Sequence, residues 1–387
     1  MSSLLLVNLS ILFAQPTGIA TYAANLFPYL KPLNPTLLIS PLTSNHFPLA
    51  SDFYSYPVPA NLSPAHGTKG HFRRLLWTQF QLPRLYHRSK SQLLFSPIPE
   101  APLYTNCRYV VMVHDLIPLR FPKRNSPLTP YFRYYIPQIL TQAQHILCNS
   151  TATATDITNF YPIPATKITP IPLAYDANHF RPLCAPLRQP LRPSAFPKHP
   201  DEATSTSAND NPYFLYIGRH DPYKNLYRLI NAFATLPNRG DYELWIAGSS
   251  DKRYTPKLQS QANHLGLSHH VKFLDYVPYN QLPILLNNAI ALIFPSLWEG
   301  FGLPVLEAMA CGTPVITSNL SALPEVSGDA AILVNPYNTS ELAAAMHSIA
   351  TDTQLRSRLS TLGLQRAHQF SWAKTGQQTV EVLQNYL

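Results

Sequence analysis

Short apolar runs alternate along the whole chain with longer stretches of helical periodicity. Such short runs are typical of strands buried on both faces, and the longer stretches are typical of helices that connect parallel strands. In the first half, the predicted strands are residues 4–8, 36–40, 92–96, 109–113 and 145–149. The predicted helices there are residues 19–29, 73–86 and 131–143. The pattern therefore indicates an α/β fold with a parallel sheet.

The second half shows the same alternation with new elements. Leu226, Leu229, Ile230 and Phe233 recur at i, i+3, i+4 and i+7, which places them on one face of a helix. The predicted strands are residues 213–217, 242–247, 271–274, 289–294, 315–317 and 331–334. Further helices are predicted over 340–349, 353–362 and 372–387. A second parallel sheet is therefore expected.

Residues 182–212 separate the two halves and differ from both in composition. They contain seven prolines and the polar run 201–211, without apolar periodicity. This composition is typical of an exposed linker. The chain has 387 residues, and a domain takes roughly 100–200 residues, so two domains are expected. We predict domains over 1–181 and 213–369, this linker between them, and a terminal helix over 370–387.

Residues 1–14 have the apolar character of a signal peptide but not its other features. The first charged residue is Lys31, so the positive region that opens a signal peptide is missing. Asn8 interrupts the run, and Pro16-Thr17-Gly18 follows it as a turn. The interpretation we prefer is a first β-strand. No apolar run reaches the ~20 residues that a membrane-spanning helix needs.

The four cysteines, at positions 107, 148, 184 and 311, are scattered, and no pair has the Cys-x-x-Cys spacing of a zinc site. Cys148 and Cys311 lie beside apolar runs, which predicts buried thiols. Scattered cysteines of this kind are typical of a reducing compartment. We therefore expect a cytoplasmic protein without a cysteine-bound metal.

Charged residues make up only 13% of the chain, about half of the usual ~25%. The 29 basic residues outnumber the 20 acidic ones and give a net charge of +9. A basic surface attracts nucleic acid, anionic lipid or phosphorylated ligands, and charge alone does not choose among them. The sequence has no helix-turn-helix, zinc-finger or RNP pattern, so a nucleic-acid-binding protein is kept only as an alternative.

The basic character is concentrated in residues 69–90, which contain six lysines and arginines and no acidic residue. Leu75, Leu76, Trp77 and Phe80 are interleaved with these cations. One interpretation is an amphipathic helix with a solvated basic face. The other is a surface for anionic lipid or a lipid-linked acceptor, at the inner face of the membrane.

Residues 296–314 read SLWEGFGLPVLEAMACGTP and predict a loop and helix after the strand 289–294. Pro304 suits the first helical turn, and Gly312 suits the position just after the helix ends. Backbone N–H groups in a glycine-containing loop before a helix can bind an anion. Glu299 and Glu307 lie eight residues apart, and a carboxylate accepts two hydrogen bonds from sugar or ribose hydroxyls.

Residues 213–225 read YFLYIGRHDPYKN and predict a strand that ends at Gly218, followed by a turn. Arg219 and Lys224 flank this turn. Two cations at a strand end, with no nearby partner in sequence, suit a diphosphate. The alternative is a solvated loop with ordinary surface cations.

Together these segments resemble the glycosyltransferase family 4 proteins, also called group 1 glycosyltransferases. The matching segments are Gly218-Arg219, Lys224-Asn225, Glu299-Gly300-Phe301-Gly302-Leu303-Pro304, Glu307-Ala308, Gly312-Thr313-Pro314-Val315, Pro324-Glu325-Val326, Gly328-Asp329-Ala330-Ala331 and Phe370-Ser371-Trp372. The resemblance implies the GT-B fold, in which two Rossmann-like, doubly wound domains face each other across a cleft. It also implies that the final helix crosses back onto the N-terminal domain.

The resemblance further implies retaining transfer of a sugar from a nucleotide sugar, with no metal or other cofactor. It assigns Arg219 and Lys224 to the donor diphosphate and Glu299 to the donor sugar. It assigns Glu307 to the ribose hydroxyls. The other donor-binding residues that it implies are Gly218, Tyr276, Val277, Gly300, Phe301, Gly302 and Leu303.

The N-terminal half adds two residues to this set. His114 directly follows the strand 109–113, and a histidine in this place is commonly structural. In the family, a histidine here meets the donor sugar, so the resemblance places His114 among the catalytic residues. We expect it to donate a hydrogen bond to a sugar hydroxyl or to the developing charge, and not to act as a general base. The family's glycine-rich first loop is reduced to Gly18, which lacks the usual cation after it.

Shorter matches resemble the mannosyltransferase-like branch of the family. They are Leu75-Leu76-Trp77, Leu82-Pro83, His114-Asp115-Leu116 and Pro118-Leu119-Arg120-Phe121-Pro122. This favours GDP-mannose over a UDP-linked donor, and a glycan or lipid-linked acceptor in the synthesis of cell-surface polysaccharide or glycolipid. The alternatives are another enzyme of this architecture, such as a nucleotide-sugar epimerase or a phosphorylase, a catalytically silent relative, and the basic nucleic-acid-binding protein.

Overall fold

A computed structural model describes residues 4–12, 18–44, 48–124, 126–183 and 211–387. The chain divides into two compact units. The first extends to Leu173 and also includes Ser371–Leu387, and the second lies within Ala174–Phe370. The division at Leu173 falls eight residues before the predicted boundary at 181. Of the predicted linker 182–212, all but residues 182, 183, 211 and 212 lie outside the described residues.

The first unit is built on a parallel sheet of seven strands, in the order β3-β2-β1-β4-β5-β6-β7. The strands are β1 (Leu5–Asn8), β2 (Thr36–Ile39), β3 (Tyr54–Pro57), β4 (Leu93–Ser96), β5 (Tyr109–Val113), β6 (His145–Cys148) and β7 (Ile168–Pro170). Register pairs Val7 of β1 with Leu37 on one side and with Phe95 on the other. The chain therefore winds outward from β1 in both directions.

Helices cover the faces of this sheet, which explains why the central strands are buried along their whole length. They are α1 (Gly18–Leu26), α2 (Pro41–Ser44), α3 (Gly67–Phe80), α4 (Leu82–Arg88), α5 (Ile117–Arg120), α6 (Leu128–Pro130), α7 (Ile136–Gln142) and α8 (Thr151–Phe160). The core includes Leu94, Val111, Ile139 and Ile146, each fully buried. This apolar packing fixes the loops at the carboxyl ends of the strands.

The second unit has a parallel sheet of six strands, in the order β10-β9-β8-β11-β12-β13. The strands are β8 (Tyr213–Ile217), β9 (Glu243–Ala247), β10 (Val271–Leu274), β11 (Ala291–Phe294), β12 (Val315–Ser318) and β13 (Ile332–Val334). The helices are α9 (Leu226–Ala234), α10 (Thr255–His264), α11 (Leu282–Asn288), α12 (Leu303–Ala310), α13 (Leu323–Ser327), α14 (Thr339–Thr351) and α15 (Thr353–Ala367). Leu229, Ile230 and Phe233 of α9 are fully buried, which confirms the predicted helix face.

The last helix, α16 (Trp372–Gln384), belongs to the first unit. The rings of Trp372 and Tyr22 lie 6.3 Å apart, and Oγ1 of Thr375 donates to the carbonyl oxygen of Pro172 at 2.8 Å. A Cβ built on Gly376 would lie 2.3 Å from Cβ of Tyr29, so the helix approaches that segment too closely for a larger residue. Among the described residues, no helix combines the length and the apolar character needed to cross a membrane.

Prolines divide the three helices predicted in the first half. The helix predicted over 73–86 is broken at Gln81, because Pro83 has no N–H to continue the hydrogen-bond ladder. The one predicted over 131–143 begins as a π-helical segment, Tyr131–Tyr135, and Pro137 then opens α7. The one predicted over 19–29 changes at Leu26 to a 3₁₀ segment, Phe27–Leu33, that contains Pro28 and Pro32.

The sequence pattern missed the two outermost strands of the first sheet. Every residue of β3 is exposed, so this strand has none of the apolar character that marks a buried one. The other, β7, has three residues and ends at Pro170. Proline is tolerated at such an edge because no further strand needs its missing N–H. The predicted burial of Cys148 and Cys311 is confirmed, whereas Cys184 lies outside the described residues.

Candidate active site

The two central strands of the second sheet, β8 and β11, are neighbours at the point where the winding direction reverses. Ala291 of β11 pairs with Phe214 of β8 in parallel register. The carboxyl ends of both strands therefore meet at the same edge of the sheet. In open α/β sheets, ligands bind outside this edge at the reversal point. The segments that follow these two strands are the ones that the sequence singles out.

The turn after β8 begins at Gly218. Its φ of +151° is a backbone conformation that residues with a side chain rarely adopt. A Cβ at this position would lie 2.7 Å from Oη of Tyr216. The Tyr216 hydroxyl in turn donates to the carbonyl oxygen of Arg219 at 2.7 Å. Glycine is thus required for the chain to turn this tightly over Tyr216.

Arg219 extends into solvent from this turn, with 72% of its side chain exposed. Its Nε lies 2.8 Å from Oδ2 of Asp221, whose side chain is 3% exposed. The expectation that Arg219 has no nearby partner is therefore wrong, because Asp221 is only two residues away. The carboxylate is buried and fixed, and it holds an otherwise mobile guanidinium at the edge of the sheet.

Lys224 is the second predicted cation, and it is buried beside Glu299. Its Nζ donates to Oε1 of Glu299 at 2.5 Å, and the two residues are only 9% and 8% exposed. The Lys224 Nζ also lies 5.2 Å from the ring centroids of Tyr223 and Phe294. As expected, Lys224 has no acidic partner close to it in sequence, because its partner Glu299 lies 75 residues away. In the fold it forms a buried ion pair.

Asn225, which the sequence interpretation left without a role, joins the loops that carry this pair. Its φ of 64° is left-handed, a conformation that asparagine tolerates better than most residues. Its Nδ2 donates to the carbonyl oxygens of Pro295 and Pro336, at 3.1 and 2.7 Å. The N–H of Leu297 donates to the carbonyl oxygen of Tyr223 at 2.7 Å. These bonds align the segment after β8 with the segment after β11.

The backbone of Glu299 is anchored separately. Its N–H donates to Oγ of Ser321 at 3.0 Å, and Ser321 itself has a positive φ of 59°. Side chain and backbone of Glu299 are thus both held. Nothing in the sequence around Ser321 identifies it as a partner of a loop that lies 22 residues earlier.

The loop Gly300–Gly302 leads directly into α12. Gly302 has a φ of +107°, and a Cβ there would lie 2.7 Å from Cδ2 of Leu323. Phe301 is buried, and its ring meets that of Phe370 edge-on at 6.0 Å. Leu303 opens α12 and Pro304 follows it within the first turn, as predicted. The buried Phe301 ring therefore anchors the loop to the protein interior. The first backbone N–H groups of α12 have no partner within the helix and are available to a ligand.

Glu307 lies on α12 and is half-buried. Burial raises the pKa of its carboxyl group from 4.5 to about 7. The Glu307 carboxylate contributes to a raised pKa of the Tyr279 hydroxyl, where burial is the larger cause, so the two groups interact electrostatically. Cys311 lies one turn further along the chain, and burial with Glu307 raises the pKa of its thiol to about 12. Glu307 therefore changes charge near neutral pH.

Tyr276 and Val277 follow β10 and differ in exposure. Tyr276 is 59% exposed, so its ring is available to a ligand. Val277 is 6% exposed, which leaves its backbone and not its side chain to make a contact. Tyr276 can therefore contact a ligand through its ring, and Val277 only through its backbone.

His114 and Gly18 lie in the first unit. Nε2 of His114 lies 2.8 Å from the carbonyl oxygen of Pro97, and the ring meets that of Tyr22 edge-on at 5.0 Å. Burial lowers the pKa of His114 to about 4, so the ring is neutral at physiological pH. Since a carbonyl only accepts, the single N–H of the neutral ring is on Nε2, and Nδ1 is an acceptor. This tautomer offers a ligand an acceptor and not the expected donor, and the role of His114 toward the sugar stays a prediction. Gly18 is exposed at the start of α1.

The described residues bring Lys224 and Glu299 into contact and place Arg219 on the same turn as Lys224. Within these ranges, no group of three or more His, Cys, Asp or Glu side chains is arranged to hold a metal ion. The expectation of a metal-independent reaction stays a prediction. The roles of the individual site residues are likewise predictions.

Two family models match the chain. The model for "Glycosyltransferase Family 4" matches residues 16–179, and the model for "Glycosyl transferases group 1" matches residues 198–366. Among curated proteins, O-antigen chain mannosyltransferase B of Escherichia coli is 30% identical over 282 residues, 70% of this chain and 69% of that protein. O-antigen chain mannosyltransferase RfbU of Salmonella typhimurium is 26% identical over 352 residues, which are 89% of this chain and 90% of that protein.

Solved structures show the same fold at low sequence identity. Sucrose-phosphate synthase of Thermosynechococcus elongatus has a TM-score of 0.75 at 19% identity, with 98% of both chains covered. HepE of Anabaena, in complex with UDP and glucose, has a TM-score of 0.74 at 19% identity, with 99% of both chains covered. Each unit here is a doubly wound parallel sheet, as expected for the GT-B fold.

The predicted family and fold are thus confirmed, and the matches favour a transferase over the alternatives of an epimerase or a nucleic-acid-binding protein. Two relatives that match over more than two thirds of their own length carry mannosyltransferase names. The chain belongs to glycosyltransferase family 4, the group 1 glycosyl transferases.

Proposed function

We propose that this glycosyltransferase moves mannose from GDP-mannose to a glycan or lipid-linked acceptor, with retention of configuration and without a metal ion. The observation that carries the proposal is the buried pair of Lys224 and Glu299, joined at 2.5 Å at the reversal point of the second sheet. A cation and a carboxylate side by side suit a ligand that offers a diphosphate next to a sugar.

The choice of donor and acceptor is supported by relatives. The two curated relatives reported above are named O-antigen chain mannosyltransferases. A third, the MMP alpha-(1->4)-mannosyltransferase of Mycolicibacterium hassiacum, is 30% identical over 63% of this chain. HepE binds UDP, so the fold by itself does not favour a guanine base. The mannosyl donor therefore rests on the sequence relatives.

In the proposed reaction, the bond from the anomeric carbon to the donor phosphate oxygen breaks. The acceptor oxygen bonds to that carbon on the same face, and its proton passes to the departing phosphate. Until this proton arrives, the breaking bond leaves additional negative charge on the diphosphate. Arg219 and Lys224 stabilise it, and a well-placed donor of this kind is worth a factor of about 10²–10³ in rate.

The carboxylates position the donor. Glu299 is fixed through its backbone by Ser321 and through its side chain by Lys224, so it presents a rigid acceptor to the sugar hydroxyls. Glu307, when ionised, accepts from the two ribose hydroxyls. Neutral His114 offers Nδ1 as an acceptor to a hydroxyl of the sugar, because Nε2 is engaged with Pro97.

No metal enters this account, because the two cations supply the charge that a divalent ion otherwise provides. Arg219 is suited to this role because its guanidinium is exposed and Asp221 holds it in place. We also propose that the enzyme acts in the cytoplasm, at the inner face of the membrane where lipid-linked acceptors are found.

The experiment is a transfer assay with GDP-mannose, GDP-fucose, UDP-glucose and UDP-galactose, each with EDTA and with magnesium, on a lipid-linked oligosaccharide acceptor. The proposal predicts transfer from GDP-mannose that EDTA leaves unchanged, and an α-linkage by NMR from the α-linked donor. Lys224→Ala should lose activity, and the exposed Lys257→Ala should serve as its matched control. A β-linked product would exclude retention, and a faster UDP-sugar reaction would exclude the proposed donor.

A further inference from the structure

A cavity of about 410 Å³ lies in the first unit and shares no residue with the sites described above. Its volume is within the usual range of ligand sites, roughly 300–1,000 Å³. One wall is the loop after α5, and the other comes from the helical segments that follow. The lining residues are Pro122, Lys123, Arg124, Thr129, Pro130, Arg133 and Tyr134.

Three cations line this cavity, and no carboxylate does. Lys123 is half-buried, whereas Arg124 and Arg133 are exposed. No aspartate or glutamate occurs from residue 116 to residue 155. In the part of the chain that the structure describes, no ion pair involves Arg124 or Arg133. The cavity is therefore positively charged and suits an anion.

The wall after α5 is held in place by hydrogen bonds at both of its ends. Nε of Arg120 donates to Oδ2 of Asp156 at 2.8 Å, which ties α5 to α8. The carbonyl oxygen of Lys123 accepts from the N–H of Ser126 at 3.1 Å and from Oγ1 of Thr129 at 3.4 Å. Because Asp156 neutralises Arg120, the remaining positive charge of this segment is concentrated at the cavity.

The opposite wall is the π-helical segment Tyr131–Tyr135, and this rare geometry is frequent at functional sites. The rings of Tyr131 and Tyr135 stack at 5.2 Å, and Oη of Tyr131 donates to Oε1 of the buried Glu100 at 3.2 Å. These contacts fix the inner side of the segment, so Arg133 and Tyr134 lie on the side that lines the cavity. Tyr134 is 64% exposed, which leaves its ring available to a ligand.

The position of the cavity in the fold suits a part of a substrate that does not react. The segment that forms its first wall leaves the carboxyl end of β5, the same strand end that carries His114. In open α/β sheets, ligands bind outside this edge. A molecule that reacts near His114 can therefore extend along this segment towards the cavity.

We propose that this cavity binds a phosphate group attached directly to the sugar of the acceptor. The inference rests on the proposed function only in taking the bound molecule to be the acceptor. Lys123, Arg124 and Arg133 supply the charge, and the guanidinium groups can each donate two parallel hydrogen bonds to phosphate oxygens. The exposed ring of Tyr134 packs against the apolar face of the attached sugar.

Two other anions fit the cavity less well than a sugar phosphate. A carboxylate carries a single negative charge, whereas a phosphate monoester carries about two at neutral pH and better balances three cations. A nucleic acid needs cations that follow its backbone along a groove, and these three surround one cavity.

The test is calorimetric titration of the full chain with saturating GDP present, so that the proposed donor site is occupied. The probes are mannose 1-phosphate, geranyl diphosphate and inorganic phosphate. We expect mannose 1-phosphate to bind, and the double variant Arg124→Ala, Arg133→Ala to bind it at least about tenfold more weakly, because two charge-assisted contacts are lost. The matched control is Arg108→Ala, which removes another exposed arginine of the first unit and should bind like the wild type. An unchanged melting temperature would show that the double variant is folded.

Geranyl diphosphate distinguishes the two sources of such a phosphate group. If it competes with mannose 1-phosphate, the cavity serves a lipid diphosphate that carries the sugar. If it does not compete, the cavity serves a soluble sugar phosphate. Either result supports the proposal when the double variant weakens the binding.

Three results would overturn the proposal. Wild-type protein that binds none of the probes is one, and a double variant that binds them as tightly as the wild type is another. The third is binding of inorganic phosphate alone, which would indicate an adventitious ion only.

A transfer assay separates this inference from the proposed function. A wild type that transfers no mannose from GDP-mannose would contradict the proposed function, whereas the titration decides on the cavity without any transfer. In an active enzyme, the double variant should raise the KM for a phosphate-linked acceptor about tenfold and leave the KM for GDP-mannose unchanged. An equal rise in both KM values would contradict a separate acceptor subsite.

Discussion

A hydrogen bond of 2.5 Å joins Nζ of Lys224 to Oε1 of Glu299, although the two residues are 75 positions apart in sequence. Both side chains are almost fully removed from solvent. A buried ion pair stabilises a fold only weakly, whereas removal of one partner leaves an uncompensated charge. The pair is therefore better explained by a functional role than by stability. In the proposed site, the Lys224 ammonium group binds the diphosphate, and the neighbouring Glu299 carboxylate accepts hydrogen bonds from the sugar.

Lys224→Ala should lower turnover by at least tenfold and, with Glu299 left unpaired, cost about 3–5 kcal/mol of unfolding free energy. Replacement of both partners, Lys224→Met with Glu299→Leu, should recover most of the stability and none of the activity. Urea unfolding and a transfer assay measure the two effects. A Lys224→Ala enzyme with full activity would show that this pair is not part of the donor site.

Arg219→Ala should weaken nucleotide binding by about tenfold or more, since a charge-assisted hydrogen bond contributes roughly 1.5–3 kcal/mol. Thermal stability should fall less than in Lys224→Ala, because the guanidinium is 72% exposed, although the buried Asp221 carboxylate loses this partner. Calorimetric titration with GDP, together with a melting curve, tests both parts. The control is Arg239→Ala, another exposed arginine of the second unit. Equal affinity for GDP in Arg219→Ala and wild type would remove Arg219 from the site.

Glu307 should make GDP affinity depend on pH. Its carboxyl group, with a pKa of about 7, is mostly protonated at pH 6 and mostly ionised at pH 8. Only the ionised form accepts from both ribose hydroxyls, so affinity should rise over this range by more in the wild type than in Glu307→Gln. Subtraction of the variant's profile removes the titration of the phosphates themselves. Parallel profiles would contradict the assignment of Glu307 to the ribose.

The same carboxyl group should affect stability in the opposite direction. Because its folded-state pKa of about 7 exceeds the ordinary 4.5, the folded state binds more protons than the unfolded state between these values. Stability from this group is therefore present below about pH 4.5 and is lost as the pH rises towards 7. Relative to Glu307→Gln, the unfolding free energy of the wild type should fall across this window. A constant difference would show that burial does not perturb Glu307.

His114→Ala should lower turnover about tenfold, the value of one lost hydrogen bond. His114→Asn should retain more activity, because its amide oxygen takes a position close to that of Nδ1. The pH–rate profiles of the wild type and His114→Asn should keep the same shape between pH 5.5 and 8, because His114, with a pKa of about 4, does not titrate there. If His114→Asn and His114→Ala are equally impaired, the acceptor role of Nδ1 is wrong.

Much of the fold follows from the sequence because the buried strands are nearly continuous apolar runs. Tyr109–Val113 and Tyr213–Ile217 are found at their predicted bounds. The helix boundaries were less predictable where prolines occur, since periodicity continues through Pro83 although the hydrogen-bond ladder does not. The strand β3 could not be found from hydropathy, because all of its residues are exposed.

The site was partly predictable for a related reason. Glycines such as Gly302 and Gly218 mark turns whose geometry excludes a side chain, and this requirement is visible in sequence. The partners of Glu299 and Asn225 are not visible in the sequence. Ser321 contacts Glu299, and Pro336 contacts Asn225, only because the winding of the sheet brings these distant segments together. The pairing of Arg219 with Asp221 is local, because only two positions separate the residues, and the sequence alone could have predicted it.

The most direct test of the central claim is GDP-mannose binding to the wild type and to Lys224→Ala and Glu307→Ala, in EDTA, by thermal shift. At a hundredfold excess over Kd, the wild type should gain about 2.7 kcal/mol of stability. The account predicts this gain for GDP-mannose and GDP, a smaller gain for UDP-glucose, and a loss of the gain in both variants. Equal stabilisation of the wild type and both variants would place the nucleotide elsewhere. A gain that EDTA abolishes would contradict the metal-free site.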